Sequence, residues 1–172
     1  MAIIATAGDS TTHAPAPEGV HQAVCVDVID KGMQPNQFKN GALQHKIDIA
    51  WQIGELRDDG KRFVVYKRYT LSLNEKATLR HDLESWRGKK FTREEEMGFD
   101  VETVIGVNGL INVQHNTKGE KTYANVVSIM PLVKGMPEMT ADGYVRPTTE
   151  QTQSNGNGEP DLSPITDDDI PF

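Results

Sequence analysis

Cysteine, aromatic residues and long apolar runs are scarce in this chain of 172 residues. The single thiol, Cys25, excludes an internal disulfide and is typical of a protein from a reducing compartment. The first residues, Met1 to Ala5, lack the basic start and the apolar stretch of a secretion signal. No window approaches the roughly 18 consecutive apolar residues of a membrane helix. The sequence therefore predicts a cytoplasmic protein that makes no membrane contact.

Residue patterns that carry catalysis are missing as well. The five histidines have no metal-ligand spacing such as HxxxH, and the chain has neither a Walker loop nor a GxGxxG motif. Cys25 has no CxxC partner and lies in an alternating apolar segment, so we expect a buried core thiol. The acidic run 94–96 falls at a predicted helix start, where neighbouring residues face different directions, and this favours a solvated surface. We predict no catalytic residue, no cofactor and no metal.

Negative charge is distributed unevenly. Residues 18–134 carry 17 Lys and Arg against 16 Asp and Glu, whereas residues 135–172 carry one Arg and eight acids. The formal net charge of −7 therefore belongs mainly to the C-terminal part. A near-neutral body can still present one basic face, because binding depends on the local field. The overall acidity argues against a passive polycation that coats duplex DNA by charge alone.

Composition divides the chain into three parts. Thr, Ala, Pro and Gly dominate the beginning, which predicts a flexible leader over residues 1–19. Residues 138–172 combine several prolines with a polar run from Thr149 to Gly158, and such a composition buries too little apolar surface to offset the entropy of ordering. We therefore predict a globular domain over residues 20–137 and a disordered acidic tail over residues 138–172.

Alternating apolar residues predict five β-strands. The stretch from Ile47 to Ile53 shows the alternation most cleanly, with three isoleucines and Trp51 on one face. Residues 31–43 are predicted as a loop, and the Asp-Asp-Gly run at 58–60 is a hairpin turn signal. The predicted strands are Val20–Ile29, Gln44–Glu55, Phe63–Leu73, Leu110–His115 and Lys121–Met130.

The apolar period changes between the third and fourth strands. A helical stripe is formed there by Leu79, Leu83 and Trp86. Asn74 is the predicted N-cap of this helix and Gly88 follows its end. Thr92 and Glu95 have the spacing of a capping box and predict a second, short helix.

Three strands, a helical segment and two strands are the element order of an OB-fold, a five-stranded and partly open Greek-key barrel. Other small α+β folds share that order. We predict a mainly β protein with an OB-fold, in which the helical segment lies between strands three and four and the disordered tail follows the barrel.

The last six residues form a triple acid with an apolar end: Asp167, Asp168, Asp169, Ile170, Pro171 and Phe172. Acidic motifs are bound by clusters of Arg and Lys, and a terminal carboxylate can be captured specifically. A tail that only solubilises needs charge but has no need of an Ile-Pro-Phe ending. These residues are therefore predicted to dock on a partner protein. The ending resembles the C-terminal tip of bacterial single-stranded DNA-binding proteins, whose acids meet basic rims on partner enzymes and whose Pro-Phe end fills an apolar pocket.

The body resembles a second group, the single-stranded DNA-binding proteins of tailed phages. The similar segments are 68–79, 82–92, 112–116 and 121–126, and the likeness covers most of residues 20–135. It implies an OB-fold and a role in phage DNA replication or recombination in the cytoplasm of a bacterial host, with replication or recombination proteins as partners of the tip. The body does not resemble the tetrameric bacterial type, so tetramer assembly is not implied, and the sequence leaves the oligomeric state open, with a weak homo-oligomer as one alternative.

Sequence-tolerant binding of single strands needs a basic groove and aromatic faces for stacking. An OB-fold places this groove across strands two and three, between the loops that join strands one to two and four to five. On strand three, Tyr66 and Arg68 belong to the row opposite the more apolar one and are expected to face outward. The predicted DNA-binding residues are Phe38, Lys39, Lys46, Tyr66, Arg68, His115, Lys118, Lys121 and Tyr123.

Some of these residues and their neighbours have a second interpretation. Tyr66 is also suited to covering the outer face of the barrel, and Arg68 to pairing with Asp48. Tyr123 depends on a strand register that the sequence does not fix. Lys67 lies on the apolar row, where a bulge could turn it outward or its stem could run to the surface. Core packing is favoured for the two tryptophans, Trp51 and Trp86.

The sequence leaves three functions open. The first is a protein that coats single-stranded DNA and recruits enzymes through its tip. The second is an adaptor or decoy that occupies host replication proteins through the tip while its body binds protein. The third is an accessory that tolerates duplex DNA and accelerates strand annealing. In each case the acidic tail could cover the basic groove when DNA is absent.

Overall fold

The computed structural model describes residues 14–146. The predicted docking tip, Asp167 to Phe172, lies outside them. The five predicted strands are present: β1 (Gly19–Pro35), β2 (Leu43–Leu56), β3 (Arg62–Thr70), β4 (Asn108–Lys118) and β5 (Lys121–Met130). Between β3 and β4 lie α1 (Thr78–Arg87), α2 (Arg93–Met97) and a 3₁₀ turn (Val101–Val104).

The five strands form one antiparallel sheet in the order β3-β2-β1-β4-β5. The two outer strands of this order, β3 and β5, also contact each other. The predicted fold class is confirmed: the protein is mainly β, and the arrangement is compatible with an OB-like barrel. None of the helices between residues 14 and 146 has the length and apolarity needed to cross a membrane.

The long hairpin of β1 and β2 differs from the prediction. Residues 31–35 were predicted as loop, but they continue β1 and pair with the start of β2. A register shift between Asp30 and Gly32 accompanies this extension, and Gly32 has a positive φ of 66°. A glycine accepts that conformation without steric cost, so the strand passes through a residue that signals a loop in the sequence.

Both tryptophans belong to the core, as predicted. Trp51 and Trp86 meet edge to face, with ring centroids 5.9 Å apart. Trp86 donates a hydrogen bond from Nε1 to the carbonyl of Asn108 at 2.9 Å. The same ring lies so close to Gly109 that a Cβ at this position would be 2.6 Å from Nε1. Glycine is therefore required where α1 packs on β4.

The ends of the helices follow the sequence signals in all but one case. Gly88 ends α1 with a φ of 70°, and the capping box of Thr92 and Glu95 is present. Hydrogen bonds from Arg87 and from the Thr92 amide lower the pKa of Glu95 to about 2. The predicted cap Asn74 is wrong. The N-cap is Ala77, because the Ala77 amide donates to the Asn74 carbonyl and closes a turn before the helix begins.

The structure defines the contacts of Cys25 and Lys67. Cys25 is fully buried, and burial raises the pKa of its thiol to about 12, which fits the predicted core thiol. Lys67 keeps its place on the inward row without a bulge. Its ammonium lies 2.6 Å from Oδ2 of Asp82 on α1, and the Tyr69 hydroxyl donates to the same oxygen at 2.7 Å. A charge pair with the helix thus accounts for a lysine on an apolar row.

Residues 137–146, here called the strap, lie across the outer face of β1 and β2. Gln52 and Asp142 exchange two hydrogen bonds of 2.6 and 2.8 Å, and Asn108 and Met139 exchange two of 2.9 and 2.7 Å. The strap also covers a second apolar cluster on this face, formed by Val24, Val26, Ala50, Val64, Met139 and Tyr144. Contacts with the sheet therefore continue beyond residue 137, where the composition changes.

The strap also covers a buried carboxylate. Asp27 on β1 is only 2% exposed. It accepts hydrogen bonds from the Tyr144 hydroxyl at 3.0 Å and from Nε of Arg146 at 2.8 Å. Burial and the bond to Asp27 together raise the pKa of Tyr144. A buried charge requires such partners, so Asp27 ties the end of the strap to the barrel.

Candidate nucleic-acid interface

The row of β3 side chains that faces outward is the row that the sequence predicts to face outward. Val65 and Tyr69 are buried, whereas Tyr66 is 48% exposed and Arg68 also faces solvent. Successive side chains of a strand point to opposite faces, so the burial of one row fixes the direction of the other. Tyr66 therefore presents an aromatic ring on the outer face of the barrel.

Tyr123 lies on the outer face of β5. The register pairs Tyr123 with Asn116 and Val126 with Val113. Val126 is buried, and Tyr123 is 48% exposed. The strand register, which the sequence leaves open, thus turns Tyr123 and its i+2 neighbour Asn125 outward.

Tyr66 and Tyr123 line the same open cleft between β3 and β5, here called the tyrosine cleft. Its volume is about 500 Å³. Four consecutive residues of each strand contribute to the wall, 63–66 and 122–125, together with Arg57 and the leader residues 14–16. Since β3 and β5 contact each other without any strand pairing in the described sheet, the cleft follows the seam of the barrel.

A smaller cleft of about 250 Å³ adjoins the tyrosine cleft and shares Tyr123 and Asn125 with it. Asn116 and Lys118 complete its lining. Lys118 stands directly opposite Lys121 at the end of the β4–β5 hairpin, and both lysines are exposed. The hairpin therefore places Lys118 in the same cleft as Tyr123, with two amide side chains, and Lys121 and Glu120 lie at its turn.

The predicted residues Lys46 and Arg68 lie on neighbouring strands, on the same outer face as Tyr66. Arg68 binds Asp48 with both Nε and Nη2, at 2.7 and 2.9 Å, so the alternative interpretation of Arg68 as an ion-pair partner is confirmed. Lys46 donates to the Thr70 hydroxyl at 2.5 Å. Lys31 lies 3.8 Å from the same carboxylate of Asp48. The three cations Lys31, Lys46 and Arg68 outnumber the one carboxylate of Asp48, so this part of the outer face keeps a net positive charge.

The remaining predicted residues, Phe38, Lys39 and His115, do not line the tyrosine cleft. Phe38 is 96% exposed and lies with Lys39 at the end of the β1–β2 hairpin, whereas the tyrosine cleft is built by β3 and β5. His115 is engaged with the leader, because its ring is 2.7 Å from the Ala16 carbonyl and its amide donates to Glu18. The structure therefore groups Tyr66 with Tyr123 and Lys118, and gives His115 a structural contact.

The sequence prediction omits most of the lining residues, and those that carry a charge or an amide are Arg57, Asn116 and Asn125. Arg57 precedes the turn signal at 58–60, and its guanidinium pairs with Asp59. The two asparagines face outward only in the register that the structure reveals. The sequence contains one signal for Asn125, because a residue two positions after Tyr123 faces the same side of a strand. That signal identifies an outward side chain only when the strand register is known.

Acidic side chains gather at another site. A cleft of about 280 Å³ near the 3₁₀ turn is lined by Asp30, Asp100 and Glu102 with five apolar residues, and no cation lines it. Among residues 14–146, no group of three or more His, Cys, Asp or Glu side chains is placed to hold a metal ion. This acidic lining contrasts with that of the smaller cleft beside Tyr123, where Lys118 is the one charged residue among the described lining residues.

No protein-family model matches this chain, and no curated protein is significantly similar to it.

Proposed function

We propose that this protein binds single-stranded DNA in the tyrosine cleft and recruits replication or recombination proteins through its C-terminal tip, in the DNA metabolism of a phage. The observation that carries the proposal is the pairing of Tyr66 and Tyr123 across one open cleft. Each ring is about half exposed on its own strand, and the seam between β3 and β5 brings both to one groove.

Two exposed rings in a groove suit unpaired bases. Stacking on aromatic side chains tolerates any sequence, because every base has a π-face, and the faces are accessible only when the bases are not stacked in a duplex. Asn116 and Asn125 add amide donors and acceptors next to Tyr123. A single strand is therefore favoured over a duplex as the ligand of this cleft.

The distribution of charge supports a polyanionic ligand. Lys118 and Lys121 stand at one hairpin, Lys31 and Arg68 contact the carboxylate of Asp48, and Lys46 donates to Thr70 on the same face. Phosphates are bound by such exposed cations, with release of counterions and a strong dependence on salt. The cleft near the 3₁₀ turn, which is lined by three acids and no cation, is less suited to the same ligand.

The direct test is a titration of the full-length protein with a labelled single strand and with its duplex, at two salt concentrations. We expect a preference for the single strand. If four cations contact phosphates, a roughly fourfold rise in salt should weaken binding by about 50-fold, since each contact contributes about 0.7 to the salt slope. Equal affinity for duplex would favour the annealing accessory. Absence of binding to either DNA would favour the adaptor.

The role of the tip is tested separately, by deleting residues 167–172. We expect binding of single-stranded DNA to persist, because the tyrosine cleft lies entirely within residues 14–146. Capture of replication or recombination enzymes from a bacterial host extract should be lost. A variant with Asp167, Asp168 and Asp169 kept but Phe172 replaced by alanine separates the apolar end from the charge. If it captures the same enzymes as the intact chain, the proposed docking mode is wrong.

A further inference from the structure

A third cleft extends the groove beyond the tyrosine cleft. Its volume is about 390 Å³, and it lies between the β2–β3 hairpin and the strap. It shares Arg57 and Val64 with the tyrosine cleft, so the two are continuous along β3. We call it the hairpin cleft. None of the residues predicted from the sequence lines it.

Among the charged residues that line the hairpin cleft, three are cations and one is an acid. Arg57, Lys61 and Arg62 line it together with the carboxylate of Asp142, and Arg57 also pairs with Asp59 at the turn. Arg62 donates to the Thr140 carbonyl at 2.7 Å, which is a neutral acceptor, and it forms no salt bridge with a carboxylate of residues 14–146. Lys61 is exposed at the turn. The cleft therefore places positive charge in the direction in which the groove continues from Tyr66 and Tyr123.

The strap determines which way a bound strand can continue. It covers Val24, Val26 and Ala50 on the outer face of β1 and β2, and its hydrogen bonds with Gln52 and Asn108 hold it there. A polynucleotide in the tyrosine cleft is thus excluded from crossing this part of the sheet. The open direction runs along the β2–β3 hairpin, with residues 142–145 of the strap as the opposite wall.

We infer that the hairpin cleft is a second binding site, which takes the sugar–phosphate backbone of the strand whose bases stack on Tyr66 and Tyr123. This inference rests on the proposed function. It adds Lys61 and Arg62 as phosphate contacts and assigns the strap as a wall of the groove. A short oligonucleotide fills the tyrosine cleft alone, whereas a longer one also reaches the hairpin cleft.

The experiment compares Lys61→Ala with the wild-type full-length chain, using single strands of about 5 and about 15 nucleotides, which span the range of site sizes for one OB-fold. At about 0.1 M salt, loss of one phosphate contact should weaken binding of the longer strand about fivefold and lower its salt slope by about 0.7. Binding of the short strand should not change. Lys61 is preferred to Arg62 because Arg62 also holds the strap.

Lys76→Ala is the matched control, since Lys76 is an exposed lysine in the turn before α1 and lines none of the three clefts of the groove. It should leave both affinities unchanged. Wild-type affinity of Lys61→Ala for the longer strand, or an equal loss for both lengths, would overturn the inference and leave the proposed function intact. If the wild-type protein binds neither strand, the proposed function fails, and the inference fails with it.

Discussion

Replacing both Tyr66 and Tyr123 by alanine should weaken binding of single-stranded DNA by about 30-fold or more. Stacking of one base on an aromatic side chain contributes about 1–3 kcal/mol, so the loss of two rings removes about 2–6 kcal/mol. The two rings line one cleft and can serve neighbouring bases of the same strand. Fluorescence anisotropy with a labelled oligonucleotide measures the loss directly.

Phenylalanine at the same positions provides the control. Tyr66→Phe and Tyr123→Phe keep the stacking face and remove only the hydroxyl, so binding should stay close to that of the wild type. Tyr66 lies close to Tyr144 of the strap, and a thermal unfolding curve of each variant is needed to show that the fold is intact. A folded double alanine variant with unchanged affinity would remove the tyrosine cleft from consideration as the DNA site.

Local signals explain why much of the fold could be predicted. The alternation from Ile47 to Ile53 and the capping box at Thr92 depend on residues within a few positions of one another, and both are found in the structure. The direction of Tyr66 follows from the same alternation, because the buried row of β3 includes Val65 and Tyr69. One half of the candidate site was therefore accessible from the sequence.

Contacts between distant residues explain what could not be predicted. Tyr123 lines the same cleft as Tyr66 only because β3 contacts β5. These two strands are not paired in the described sheet, and a local sequence pattern does not reveal their contact. The strap has no apolar period, and its contacts join residues far apart in the chain, such as Gln52 with Asp142 and Asp27 with Arg146. Its composition resembles that of the tail, so composition alone assigns it to the tail.

The second large effect concerns the strap. A chain that ends at Thr149 should unfold at the temperature of the full-length protein, because it retains every described contact of residues 137–146. A chain that ends at Met136 should lose at least about 2 kcal/mol. It exposes Val24, Val26 and Ala50, and the burial of a large apolar side chain contributes about 1.5–3 kcal/mol. For a domain of this size the loss corresponds to a fall of roughly 5–10 °C in Tm.

Asp27 allows a sharper test than truncation alone. In the longer chain, Asp27→Asn removes a buried carboxylate that accepts from Tyr144 and Arg146, so the substitution should destabilise the fold. In the chain ending at Met136 the carboxylate is open to water and has lost both partners, so the same substitution should have little effect. The difference between the two measurements is a coupling energy, expected within the range of about 0.5–3 kcal/mol for residues in one hydrogen-bond network.

A zero coupling would mean that the strap does not hold Asp27 in solution, and an unchanged Tm of the shorter chain would mean that the strap adds no stability to the barrel. Either result would leave the outer face of β1 and β2 open to a bound strand. The groove would then have two exits from the tyrosine cleft instead of one. The expected destabilisation and coupling, by contrast, require the strap to be closed over this face, because only a closed strap buries the carboxylate. Stability and the direction of the proposed DNA path therefore depend on the same ten residues, 137–146.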